Sequence, residues 1–156
     1  MFKFAVLLSA VACASAMSLP LDTRQADTCA RTYTVVSGDN CNAISAVQKV
    51  PTYQLALNNP RINANCSNIY AGQVLCLAQT GKDCRVTHVV KAGDGCWSIF
   101  TNLDIPEATF YANNPSVKAD CSNIYPDQVL CAAKSVINYS EDGDCPPGAN
   151  CFNKKQ

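Results

Sequence analysis

Cys66-Ser67-Asn68-Ile69-Tyr70-Ala71-Gly72-Gln73-Val74-Leu75-Cys76 returns 55 residues later as Cys121-Ser122-Asn123-Ile124-Tyr125-Pro126-Asp127-Gln128-Val129-Leu130-Cys131. The same shift carries Cys29 onto Cys84 and Cys41 onto Cys96 without a gap. Between residues 29–76 and 84–131, 21 of 48 positions are identical, including Gly38-Asp39 on Gly93-Asp94 and Asn58-Asn59-Pro60 on Asn113-Asn114-Pro115. A fixed period of this length marks two copies of one supersecondary unit, so each copy can be read against the other.

The β-branched and aromatic run Arg31 to Val36, matched by Val86 to Val90, predicts a strand opening each copy. Gly38-Asp39 and Gly93-Asp94 break it. An Asp ahead of Cys41-Asn42-Ala43-Ile44 predicts a helix with Asp39 as its N-cap, and Asp94 does the same in the second copy. Pro51 and Pro106 separate this helix from a second, Thr52 to Asn58 and Glu107 to Asn113, which Asn-Asn-Pro stops. Gln73 to Leu77 and Gln128 to Ala132 read as closing strands. The expected fold class is α+β, a tandem of small βααβ modules stapled by disulfides.

Each copy is about 48 residues, a size at which a hydrophobic core alone is marginal. The chain has 11 cysteines, and removing a leader that contains Cys13 leaves ten, an even number suited to complete pairing in an oxidising compartment. Cys29, Cys41, Cys66 and Cys76, and likewise Cys84, Cys96, Cys121 and Cys131, are expected to bridge within their own copy. Four cysteines allow three connectivities, and spacing does not choose among them. Cys145 and Cys151 can close a small loop in a Pro/Gly-rich tail. No Cys-x-x-Cys occurs and His88 is the single histidine, so no metal or other cofactor is expected.

Lys3, the apolar run Phe4 to Cys13 and Ala14-Ser15-Ala16 fit a secretory leader, residues 1–16, cleaved after Ala16. The remaining organisation reads as an N-terminal segment 17–28, module one 29–77, a linker 78–83, module two 84–132 and a Cys-containing tail 133–156. A secreted protein with no membrane span is expected, since the leader's apolar run is too short for a bilayer and no later segment approaches one. Twelve Lys and Arg balance twelve Asp and Glu, so no basic face for nucleic acid is expected.

Thr32-Tyr33-Thr34-Val35-Val36-Ser37-Gly38-Asp39-Asn40-Cys41-Asn42-Ala43-Ile44, then Asn58-Asn59-Pro60, then Asn68-Ile69-Tyr70-Ala71-Gly72-Gln73-Val74-Leu75-Cys76, resembles a lysin-motif (LysM) module. The doubled module, the leader and the flanking cysteines resemble secreted fungal LysM effectors. The resemblance implies the βααβ fold and binding of chitin and its N-acetylglucosamine oligomers, without catalysis, between the loop after the first strand and the loop before the last. It also implies either capture of chitin fragments from host immune receptors or protection of hyphal chitin from chitinases, and association with the fungal wall. Carried over by position, the chitin-binding residues are Gly38, Asp39, Asn40 and Asn42 with Asn68, Ile69 and Tyr70 in module one. In module two they are Gly93, Asp94, Gly95 and Trp97 with Asn123, Ile124 and Tyr125.

An uncharged N-acetylated sugar needs amides, accessible backbone groups and an apolar surface, which these residue types supply. Asp39 and Asp94 also fit helix caps, and Ile69 and Ile124 also fit the core. Trp97 stands where copy one has the polar Asn42, which predicts a solvent-facing position. Glycoside hydrolysis generally wants two placed carboxylates, and the repeated acid Asp39/Asp94 has no repeated partner. A disulfide-rich structural or inhibitor protein is the other reading, favoured if no saccharide binds. Asn65-Cys66-Ser67 and Asn138-Tyr139-Ser140 are N-glycosylation sequons. The seven residues between Cys76 and Cys84 (84 − 76 − 1 = 7), read as a flexible linker, would span about 15 Å. Long oligomers could then engage both modules or bridge two molecules into a ligand-induced dimer.

Overall fold

The computed structural model describes residues 29–139, so the expected leader, the N-terminal segment and Cys145 with Cys151 lie outside the described residues. The first copy runs β1 (Cys29–Thr34), α1 (Cys41–Gln48), α2 (Thr52–Asn58) and β2 (Val74–Gln79). The second runs β3 (Thr87–Val89), α3 (Cys96–Asn102), α4 (Glu107–Asn113) and β4 (Val129–Cys131). β1 pairs antiparallel with β2, setting Tyr33 opposite Leu75, and β3 pairs with β4, setting His88 opposite Leu130. The expected tandem βααβ architecture is therefore the observed one.

Each pair of helices closes over its own two-stranded sheet, and each copy has its own core. Val35, Ile44, Val50, Leu55 and Leu75 are buried together in module one. Val90, Ile99, Ile105, Phe110 and Leu130 occupy the same positions in module two. Of the three connectivities open to each copy, the fold selects Cys29–Cys76 with Cys41–Cys66, and Cys84–Cys131 with Cys96–Cys121. One bridge in each copy ties its opening residue, Cys29 in β1 or Cys84 just ahead of β3, to its last strand. The other ties the start of its first helix to the long loop before its last strand. On the chain-entropy account, loops of 25 and 47 residues contribute about 3.5 and about 4 kcal/mol per bridge.

Asn59 and Asn114 do more than follow a helix end. The Asn59 side chain donates to Leu55 O (2.8 Å) and Cys76 O (2.7 Å) and accepts from Cys76 N (2.9 Å). Asn114 makes the same three bonds to Phe110 O, Cys131 O and Cys131 N. Each amide locks the last turn of the second helix to the closing strand, satisfying strand groups that a two-stranded sheet leaves unpaired.

The expected N-caps are corrected. Asn40, not Asp39, caps α1, its Oδ1 accepting from Ala43 N at 2.9 Å. Gly95, not Asp94, stands at the N-cap of α3, where Ser98 Oγ accepts from Gly95 N and donates to Gly95 O. The two aspartates turn the other way, back toward the preceding strand, because a carboxylate there meets both a turn N–H and a strand side chain.

The segment read as a flexible linker is held. β2 extends to Gln79, and Gln79 bridges Lys82. Asp83 accepts from Arg31 through both carboxylate oxygens (2.8 and 3.0 Å), from Gln54 Nε2 (2.9 Å) and from Arg85 Nε (3.1 Å). Buried Gln54 also donates to Leu77 O and accepts from Cys84 N, so one amide clasps the chain on both sides of the crossing. The modules also meet directly. Val129 N, at the start of β4, donates to the buried Thr52 Oγ1 of α2 at 2.9 Å. Tyr53 and Leu57 of α2, together with Ile137, pack against the cluster of Cys84, Cys131 and Tyr139, with the rings of Tyr53 and Tyr139 edge to face at 5.5 Å. Residues 133–137 are laid down by Asn113, which donates to Ala133 O and Ser135 O and accepts from Ile137 N.

Candidate functional site

Loop one joins the first strand to the first helix in each module. Gly38 (φ 92°) and Gly93 (φ 90°) adopt the left-handed backbone that side-chain-bearing residues resist, and no atom lies within 4 Å of where a Cβ would stand. The glycines therefore serve conformation rather than packing, and they leave open backbone at the surface. Asp39 Oδ2 accepts from Val36 N and from Tyr33 OH, both at 2.8 Å. Asp94 Oδ2 accepts from Lys91 N at 2.9 Å and lies 2.7 Å from His88 Nε2. The Lys91 N–H, then His88, hold the Asp94 carboxyl below the ordinary carboxylate value. The bond to Asp39 raises the Tyr33 phenol above its ordinary value. Both acids fasten the loop to its strand.

Loop two precedes the last strand. Asn68 Oδ1 accepts from Asn63 N (2.9 Å) and its Nδ2 donates to Arg61 O (2.8 Å). Asn123 repeats this with Lys118 N and Ser116 O. These amides brace the loop from within, a role the sequence reading did not anticipate. Ile69 and Ile124 are partly buried and pack on their module cores. Tyr70 and Tyr125 begin a turn whose third residue is left-handed, Gly72 (φ 88°) or Asp127 (φ 68°). Pro126 suits the second position of such a turn. Gln73 and Gln128 close the turn, each side-chain oxygen accepting from the tyrosine N–H, at 3.2 and 3.3 Å. The turn is tied to loop one by Gly72 N to Val35 O, and by Asp127 N to Val90 O.

Asn68, Asn123, Asp39 and Asp94 are hydrogen-bonded within their loops and Ile69 and Ile124 pack on the cores, so the large apolar side chains that the expected site exposes are aromatic. Trp97 is 72% exposed, Tyr70 67% and Tyr125 43%. Trp97 is thus solvent-facing as its pairing with Asn42 predicts. Burial raises the Tyr125 phenol above its ordinary value.

A cleft of about 320 Å³ opens beside the Cys41–Cys66 bridge, lined by Asn40, Asn42, Thr52 and Asn65 of module one and by Tyr125 of module two. Its volume is at the low end for small-ligand sites, and none of its lining residues carries a charge. Asn65, of the first sequon, is exposed on this rim and accepts from Ser67 N at 3.2 Å. Asn138, of the second, is exposed beside buried Tyr139. Among the described residues no group of His, Cys, Asp or Glu is disposed to hold a metal ion. No helix among them is long and apolar enough to cross a membrane.

The arrangement suits a neutral, amide-bearing ligand with an apolar face: open backbone at glycine, side-chain amides at Asn40, Asn42 and Asn65, and exposed rings. Gln73 and Gln128 escaped the sequence reading as site-shaping residues, although their repetition at the 55-residue shift was visible. Tyr125 as a neighbour of module one carried no sequence signal at all.

The LysM domain family model matches residues 33–78 and again residues 88–132. The chain is 33% identical over 126 residues to secreted LysM effector LysM1 of Trichophyton rubrum, covering 66% of this chain and 50% of that one. It is 26% identical over 121 residues to secreted LysM effector LysM2 of Penicillium expansum, covering 72% and 35%. It is 24% identical over 142 residues to secreted LysM effector ldpA of Aspergillus fumigatus, covering 72% and 38%. The chain spans half or less of the length of these relatives.

Proposed function

Because the chain belongs to the LysM domain family, which matches it twice, we propose that it binds chitin and N-acetylglucosamine oligomers without cleaving them, as a secreted effector. The observation that carries this reading is the repeated pair of loops. In each module a glycine-opened loop one faces a tyrosine-bearing loop two, and the cleft that forms beside them in module one is lined without charge. An N-acetylated pyranose offers amide and hydroxyl groups to the backbone and asparagines, and an apolar ring face to tyrosine or tryptophan. Support for binding without turnover comes from the repeated acids, since Asp39 and Asp94 are both spent on fastening loop one.

Incubation with insoluble chitin, chitin oligomers and cellulose, followed by sedimentation and mass analysis, tests the reading. The expected result is recovery in the chitin pellet, absence from cellulose and oligomers of unchanged mass. Failure to sediment with chitin refutes the ligand, and shortened oligomers refute the absence of catalysis.

As an effector, the protein would withhold chitin fragments from host receptors or cover hyphal chitin at the fungal wall, with long oligomers bridging two molecules. Wild-type protein should suppress a chitin-triggered oxidative burst in host cells more than a Tyr70→Ala, Trp97→Ala variant does. These positions are better probes than Asn68 and Asn123, whose removal would unbrace loop two.

A further inference from the structure

Two features of the junction between the modules belong together. The first is that Tyr125, part of loop two of module two, forms a wall of the cleft otherwise built by Asn40, Asn42, Thr52 and Asn65 of module one. The second is the bond that sets it there. Val129 N donates to Thr52 Oγ1, and Val129 lies four residues beyond Tyr125 on the far side of a turn closed by Gln128. Gln54, Asp83 and Arg31 hold the crossing between the modules from the other side.

The copies differ where this matters. Module two presents its own aromatic, Trp97, at the position of Asn42. Module one has only the polar Asn42 there, and it is module one that receives a ring from its neighbour. Resting on the proposed saccharide reading, we infer that Tyr125 completes the module-one site from across the junction within the same chain, so that an N-acetylglucosamine unit bound between Asn40, Asn42 and Asn65 packs against a ring supplied by module two. The cleft suits such a unit: three side-chain amides, no charge, and one tyrosine that keeps 43% of its surface open to a ligand. Module one is then a complete site only in the tandem, and the two modules cannot bind as independent beads on a linker.

Isotope-labelled full-length protein titrated with the trimer and hexamer of N-acetylglucosamine gives separate isotherms for the two sites. The Asn40, Asn42 and Asn65 amides report module one, and the Gly93 to Trp97 amides report module two. Tyr125→Ala should weaken the module-one isotherm roughly three- to tenfold, the order expected for one lost aromatic face, and Tyr125→Phe should restore it. In the wild type the Tyr125 ring resonances should follow the Asn42 isotherm, a readout that needs no variant. A module-one isotherm within about twofold of wild type in Tyr125→Ala, or a Tyr125 ring that follows Trp97 alone, overturns the inference while leaving saccharide binding intact. No shift at either module with either oligomer overturns the inference together with the functional reading beneath it.

Discussion

Helices α2 and α4 occupy the same place in the two copies and have the same length, yet they meet different surroundings. Thr52-Tyr53-Gln54-Leu55-Ala56-Leu57-Asn58 is apolar or neutral on every face, and Thr52, Gln54, Leu55 and Asn58 are buried. Glu107-Ala108-Thr109-Phe110-Tyr111-Ala112-Asn113 keeps the two inward positions, Phe110 and Asn113, but exposes Glu107, Ala108 and Ala112. The shared positions hold the module together. The positions that differ, Thr52 against Glu107, Tyr53 against Ala108 and Leu57 against Ala112, show which helix carries the other module on its back. Divergence between copies is thus a map of the junction, and it can be tested by exchanging residues across the repeat.

The largest effect should come from the bridges. Replacing Cys84 and Cys131 with serine should cost about 4 kcal/mol from loop closure alone. It should cost more than replacing Cys29 and Cys76, because only the second bridge also supports Tyr139 and Tyr53 at the junction. Denaturant midpoints of the two double variants make the comparison, and equal losses would show that the junction adds nothing to the module.

Next is Thr52→Val, which leaves the buried Val129 N–H without its acceptor and should cost about 1 to 3 kcal/mol. Glu107→Val at the matching exposed position should change stability by less than about 0.5 kcal/mol. Urea unfolding of both variants separates a junction contact from a generic helix effect.

A smaller exchange concerns the turn of loop two. Gly72→Asp places a side chain on a left-handed backbone (φ 88°) and should destabilise by about 1 kcal/mol. Asp127→Gly, at φ 68°, should be neutral to stabilising by less than that, since aspartate tolerates this region better than most residues. Thermal unfolding distinguishes the opposite signs.

The smallest effect is one of pH. Burial pushes the Asp83 carboxyl up, but hydrogen bonds from Arg31 and Gln54 and the charges of Arg31 and Arg85 outweigh it and leave it below the ordinary carboxylate value. A folded-state value lower than the unfolded one means stability that is complete above the unfolded value, about pH 4, and is lost as pH falls through the folded value. In the second copy the matching residues are Val86, Thr109 and Asn138, so no such clamp exists there. Asp83→Asn should therefore flatten the acid limb of the stability curve below about pH 4, whereas Asp120→Asn, in exposed loop two, should alter it less.

Much of the fold was legible because its signals are short-range. The bounds of α2 and α4 followed from a proline before and Asn-Asn-Pro after, since proline and turn chemistry act within a few residues. The caps were misread for a related reason. Asp39 and Asn40 are adjacent and both good capping residues, and the choice fell to Tyr33 and the Val36 N–H, which claim the aspartate. Asn68 and Asn123 stood out as repeated polar residues near the groove, but whether a repeated asparagine faces a ligand or its own loop depends on where Asn63 N and Lys118 N happen to lie. Residue type alone does not carry that information.

By itself the sequence determined that there are two copies, that each is strand, helix, helix, strand, and that cysteines reinforce cores too small to stand alone. Periodicity, turn residues and an exact repeat encode these locally. Tertiary structure alone decided which cysteines pair, that Asn59 and Asn114 lock helix to strand, that Asp83 and Gln54 clasp the crossing, and that Tyr125 reaches the cleft of the other module. Each of these depends on distances between residues remote along the chain, and those distances arise only when two separately closed cores pack against one another through α2 and β4.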